Sequence, residues 1–217
     1  MKPFSFFMRS ASACLLILTW GHVHAGRPLS VEDANVNEPG EGHVETWWAH
    51  NSAGPRAWTV APAWSPADGV ELAAAFSRDS HSQLSTTAVQ VKFRLTVSQE
   101  QGCNWGALLG LSQTGSEKSR PYANGLLTCH HPLWGSLHAN LGSAQDQAGS
   151  YVITRGLAWE RSLGSVTLHL ESFGQQNSKP ARAIGLRHDV LPQLQIDASL
   201  GYQAGQTLTT MGLKWMF

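Results

Sequence analysis

Beyond residue 25 this chain has no apolar run long enough to cross a membrane as a helix, yet apolar residues recur at alternate positions along most of its length. Val89, Val91, Phe93 and Leu95 alternate with Gln90, Lys92 and Arg94. Val166, Leu168 and Leu170 alternate with Thr167, His169 and Glu171; Leu194, Ile196, Ala198, Leu200 and Tyr202 alternate with Gln195, Asp197, Ser199 and Gly201. Successive side chains of an extended strand point to opposite faces, so each segment has one apolar and one polar face. No window of about ten residues or more carries a helical apolar period. Turn-forming clusters divide the pattern into predicted strands at 43–51, 56–65, 69–78, 86–97, 103–113, 121–131, 134–143, 150–161, 164–173, 181–190, 193–202 and 206–217. Each is near the ~9–11 residues that a tilted strand needs to cross a bilayer. The connections alternate too: 51–55, 79–85, 114–120, 144–150 and 174–180 are polar and mostly long, whereas 65–69, 98–102, 132–134, 162–164 and 191–193 are tighter. A tight turn at 204–205 breaks that order. Short turns on one side and longer loops on the other are the asymmetry of transmembrane barrels.

The segment 206–217 sharpens this reading. Thr207, Thr209, Met211, Leu213, Trp215 and Phe217 share one parity, with Gly212 and Lys214 on the other. A bare apolar strand invites edge-to-edge aggregation in water. An apolar strand closing on an aromatic resembles the last strand of bacterial outer-membrane β-barrels, which implies that Trp215 and Phe217 are an assembly signal. At the other end, Lys2 and Arg9 precede a short apolar run from Ala11 to Trp20, and Val23-His24-Ala25 offers the small residues of a cleavage site. Residues 1–25 therefore read as a cleaved secretory signal, and any membrane insertion must use strands.

Composition agrees. Lys2 and Arg9 are the only charged residues before position 26, leaving 13 basic against 15 acidic residues, a formal net charge of −2. No basic patch suggests nucleic acid. Charged residues are 14% of the chain, against ~25% in soluble domains, while Trp is abundant at nine. An apolar exterior around a polar lumen has this composition. The competing reading is a secreted β-sandwich, which shares the glycines and the alternation.

A second resemblance lies in Arg27-Pro28-Leu29-Ser30-Val31-Glu32-Asp33-Ala34, followed by Pro39-Gly40 and Val44-Glu45. This opening is similar to that of a family of small Gram-negative outer-membrane proteins, often labelled phenol meta-pathway outer-membrane proteins or transporters. Glu32 stands where an Asp is common. The resemblance implies a barrel and passage of small molecules, and supplies no catalytic residues. Residues 26–42 are then a periplasmic leader ordered at the barrel mouth or a lumen plug, with the barrel over 43–217.

Cys103 and Cys129 fall at adjoining ends of neighbouring strands near the periplasmic rim, where oxidation allows a disulfide. Free thiols, or a metal site using His130 and His131, are the alternatives; without a second close ligand pair the latter falls short of a structural zinc pattern. Catalysis would need Ser, base and orienting group within hydrogen-bond reach. Ser80-His81-Ser82 and a lipid-facing His188 are the nearest material, and no spacing enforces the arrangement.

Parity puts Glu71, Gln90, Lys92, Arg94, His138, Asn140, His169, Glu171, Arg187, Asp189, Gln195, Asp197 and Lys214 inside. These line a solute path or fill the lumen with salt bridges; if water-filled, Lys92, Arg94 and Arg187 give a mildly anion-attracting field. The sequence thus predicts an all-β, antiparallel up-and-down transmembrane β-barrel of about 12 strands (range 10–12), exported through the Sec pathway to a Gram-negative outer membrane. Its expected activity is passage or binding of a small solute, without cofactor or metal. A lipid-modifying enzyme and a structural envelope barrel are the other readings. Expected partners are outer-membrane lipid, periplasmic chaperones, the barrel-assembly machinery and a small-molecule solute, with no nucleic acid.

Overall fold

A computed structural model describes residues 29–217; the expected signal segment 1–25 and residues 26–28, with Arg27 and Pro28 of the opening motif, lie outside that range. Twelve strands follow in order: β1 (Gly42–Asn51), β2 (Arg56–Ala67), β3 (Val70–Asp79), β4 (Ser85–Arg94), β5 (Gly102–Thr114), β6 (Arg120–His131), β7 (Gly135–Gln145), β8 (Tyr151–Leu163), β9 (Val166–Gln175), β10 (Ala181–Leu191), β11 (Leu194–Gln203) and β12 (Gln206–Met216). Each pairs antiparallel with its sequence neighbours, and β12 returns to β1, closing the barrel. The closure excludes the two-layered sandwich, because a sheet joined to itself has no second sheet to pack on. The seam is completed outside the regular ladder: Gly42 and Phe217 exchange backbone hydrogen bonds, both 2.9 Å.

One end of the barrel holds Gly42 and Phe217 together with the turns 68–69, 95–101, 132–134, 164–165 and 192–193; we call it the terminal end. The other, the loop end, has the connections 52–55, 80–84, 115–119, 146–150, 176–180 and 204–205. At the last of these, Ala204 and Gly205 both adopt positive φ, 51° and 93°. That is the turn whose twist matches two antiparallel strands joined by two residues. The strand predicted to run to Val97 stops at Arg94. Alternation through Leu95 and Val97 carried the longer prediction, but Leu95 (65% exposed) and Val97 (86% exposed) belong to the 95–101 connection.

The apolar parity faces outward nearly everywhere. Large exposed residues such as Phe76, Val89, Leu109, Leu157, Ile184, Leu200 and Met211 form a continuous belt. Trp64, Trp105, Trp134, Trp159 and Trp215 border it at the terminal end, and Trp58, Tyr151 and Tyr202 at the loop end. Aromatic girdles bounding an apolar band are the outer surface of a membrane barrel. The buried core is therefore the lumen itself, and most of it is polar.

Candidate functional site

The lumen is crossed by the chain's own N-terminal segment. From Gly42 at the terminal end, residues 37 to 29 cross the interior with bends at Ser30, Val31 and Ala34, and alternate backbone amides are held by wall side chains. Ser30 N–H donates to Glu171 Oε2 (2.6 Å) on β9, and Glu32 N–H to Asn140 Oδ1 (2.8 Å) on β7. Ala34 N–H donates to Thr128 Oγ1 (2.9 Å) on β6. Asn140 Nδ2 returns a hydrogen bond to Glu32 O at 2.7 Å, as an adjacent strand would. Nearer the terminal end, Asn37 donates from both N–H (3.2 Å) and Nδ2 (2.9 Å) to Glu71 Oε2 on β3. A backbone buried without a sheet partner must find such donors and acceptors elsewhere; here the wall's polar side chains supply them.

Apolar contacts fix the same segment. Ala34, fully buried, packs with Leu108, Leu126 and Tyr122; Leu29 and Val31 pack with Ala158 and Phe173. Two wall glycines make room. A Cβ built on Gly156 would lie 2.9 Å from Val31 Cγ2, and one on Gly106 would lie 3.2 Å from Ala34 Cα. Elsewhere on the lumen face, the His169 ring covers Gly185, the Asp197 carboxylate covers Gly212 and the Asn124 amide covers Gly142. Glycine opposite a polar side chain lets that side chain lie flat on the wall.

The charged residues form three groups. Lys92 on β4 pairs with Glu71 (3.4 Å) and with Glu32 of the N-terminal segment (3.5 Å). On β7 to β10, Glu160 pairs with Arg187 (3.0 Å) and lies 3.5 Å from His138 Nε2, whose Nδ1 is 2.9 Å from the Thr128 hydroxyl. His169 stands across from Glu160, and Asp197 across from Arg187, in the strand registers. At the seam, Lys214, only 2% exposed, pairs with Glu45 (3.5 Å), and His43 lies 3.6 Å from the same carboxylate. Asp33 of the crossing segment is buried, and burial raises its carboxyl to about 6; nearby Lys92 and His138 oppose the shift.

The lumen residues singled out by sequence fall as follows. Glu71, Lys92, His138, His169, Arg187, Asp197 and Lys214 are buried within these groups, and Glu171 is buried where it accepts from Ser30. Arg94 forms an ion pair with Asp68 at the terminal end, and Asp189 is exposed at the same rim. Lys92 and Arg94 are thus both paired with acids. Trp215 and Phe217 face outward, exposed. Cys103 and Cys129 stand opposite each other in the β5–β6 register, their sulfurs bonded at 2.09 Å. No cluster of three or more metal-ligating side chains occurs among the described residues.

Sequence reasoning missed Glu160, Glu45 and Thr128. Glu160 lies within β8, whose other parity carries Arg155 and Arg161 between apolar residues, which blurs the alternation. Thr128 is unremarkable in sequence, and its role comes from its contacts with residue 34 and His138. Leu108 and Leu126 break the rule of a polar lumen because they serve the segment that fills it.

Among the described residues, two cavities border the segment. One of about 250 Å³ lies beside the segment against β1–β4, bounded by Trp47, Glu45, Gln90, Lys92 and a shelf of alanines including Ala61, Ala73 and Ala88. The other, about 390 Å³, is bounded by Ser30, Asn124, Asn140, Thr154, Phe173 and Gln203 toward the loop end.

No family model and no curated protein matches the chain. Solved structures share its fold. A KdgM porin aligns with a TM-score of 0.64 at 13% identity, covering 81% of this chain and 99% of that one. An outer membrane channel from Pseudomonas putida F1 aligns at 0.59 and 9% identity, covering 87% and 100%. A NanC porin aligns at 0.59 and 12% identity, covering 79% and 98%. One KdgM structure is a complex with disordered oligogalacturonate.

Proposed function

We propose that this chain is a narrow outer-membrane channel for small neutral or weakly cationic solutes, with residues 29–37 as the element that restricts it. The carrying observation is that segment: a stretch of backbone held across the lumen by side chains of several strands, beside a cavity of about 250 Å³. The fold held in common with porins and a channel supports the location and the class of activity. The lumen argues against an acidic oligosaccharide as cargo. Among the described residues, the wall acids Glu45, Glu71, Glu160, Glu171, Asp189 and Asp197 face Lys92, Arg94, Arg120, Arg187 and Lys214, and the segment adds Glu32 and Asp33. A path for polyanions needs an excess of cations. Trp47 and the alanine shelf suit a compact solute with an apolar side.

In this reading residues 1–25 are removed on export, and the loop end faces outward. The test is conductance in a planar bilayer. The mature chain should conduct in small steps, and a chain lacking residues 26–37 should conduct several-fold more. Silence from both would remove the transport reading and leave a structural barrel.

A further inference from the structure

Every lumen cation named above stands against an acid, but among the described residues exposed arginines on the outer wall, Arg56, Arg155, Arg161 and Arg182 among them, do not, and two of these, Arg155 and Arg182, lie near each other. Arg155 on β8 and Arg182 on β10 belong to the outward parity and are exposed. Among the described residues neither has an ion pair or a side-chain hydrogen bond. Their surroundings are apolar: Ile153 and Leu157 flank Arg155 along β8, Leu141 stands across from it, and Ile184 follows Arg182 along β10. A bare guanidinium against hydrocarbon is costly at depth and is tolerated near the interface. Both arginines lie toward the loop-end girdle, where headgroups begin.

The two side chains share one patch. Only β9 separates their strands, so their backbones are roughly 10 Å apart. The residues of β9 between them are small: Gly174 stands across from Arg155, and Ser172 across from Arg182. Tyr202, exposed, stands across from Arg182 on the other side. A groove of about 430 Å³ continues from Arg182 and Tyr202 over Ile184, Leu200, Gly201 and Thr207. Two forked cations, two hydroxyls and a glycine gap above an apolar groove match a phosphate monoester carrying acyl chains.

We infer that Arg155 and Arg182, with Ser172 and Tyr202, form a binding site for the phosphate of a phosphorylated glycolipid of the outer leaflet, of the lipid A type. Charge complementarity carries the assignment: the wall supplies unpaired cations at headgroup depth, and a monoester dianion satisfies two guanidinia better than the single charge of a phosphodiester. The site rests on the outer-membrane reading but is independent of transport.

The test is lipid retention by native mass spectrometry after release from nanodiscs holding equal amounts of bisphosphorylated lipid A, its dephosphorylated form and phosphatidylglycerol. The unaltered chain should retain bisphosphorylated lipid A over both others. The double variant R155Q/R182Q should retain it at least about tenfold less, the loss expected when charged hydrogen bonds disappear. R161Q, on the same outward parity of β8 but at the terminal end, should behave as the unaltered chain. Equal retention of all three lipids by the unaltered chain, or unchanged retention by the double variant, would overturn the site. Failure of the unaltered chain to enter nanodiscs would instead overturn the membrane reading, and the site with it. The dephosphorylated comparison uses the unaltered chain, so the answer does not depend on how a variant folds.

Discussion

At the scale of single residues, the fit between segment and wall is the sharpest feature. Gly156 leaves the space that Val31 fills, and that space is specific enough to test. Gly156→Val should push the segment off the wall and raise single-channel conductance. Combining it with Val31→Gly should restore the original steps, because the double change returns the volume. Unchanged conductance in Gly156→Val would show that the segment does not restrict the path. Asp33 gives the same contact a pH dependence. Its carboxyl titrates near 6 when docked, against 3.8 for an unperturbed Asp, so docking takes up a proton. Docking is strongest below pH ~4 and weakens as pH rises through 6, by roughly 3 kcal/mol at most. Conductance should therefore increase from pH 5 to pH 8. Asp33→Asn, neutral throughout, should flatten that rise; a profile indifferent to this change would assign the titration to another group.

At the scale of the strand, one residue of parity decides between lipid and lumen. Leu200 is more than half exposed on the outer face, while Ser199 faces inward against Thr210, 2.6 Å away. Leu200→Arg should cost ~2–4 kcal/mol near the membrane midplane, and Ser199→Arg much less, since its charge would enter a polar lumen. Refolding yields into lipid vesicles, read by heat-modifiable gel mobility, separate the two; equal losses would refute the assignment of faces. This parity is also why so much of the fold was legible in advance. Twelve alternating segments with polar breaks admit few arrangements, and strand ends such as Arg56, Ala181 and Gln206 follow from turn residues beside them. The strand after Ser85 reads too long in sequence because alternation continues past the last ladder pair, Arg94 with Gly106. The lumen's polar list followed from the same parity. The crossing segment's partners were not legible, since they bring together residues up to 141 positions apart with no shared local pattern.

At the scale of the whole molecule, the distribution of charge sets what passes. The outer wall keeps the neighbouring Arg155 and Arg182 toward the loop end, and the lumen keeps an excess of acids among buried pairs. Lys92 is held between Glu71 and Glu32, so undocking the segment removes Glu32 from that cation. Net lumen charge therefore depends on whether the segment is in place. With it docked, Glu32, Glu45 and Glu171 outweigh the bases near the path, and the chain should prefer potassium over chloride in a salt gradient. Selectivity should be modest, because most charges are paired, and should fade between 0.1 and 1 M salt as the Debye length falls from about 10 to 3 Å. Changing Glu45 and Glu171 to Gln should move the reversal potential toward zero; removing residues 26–37 should do the same while raising conductance. A chloride preference in the unaltered chain would mean that the paired cations, rather than the acids around them, face the conducting water, and the cargo class proposed here would have to be reversed.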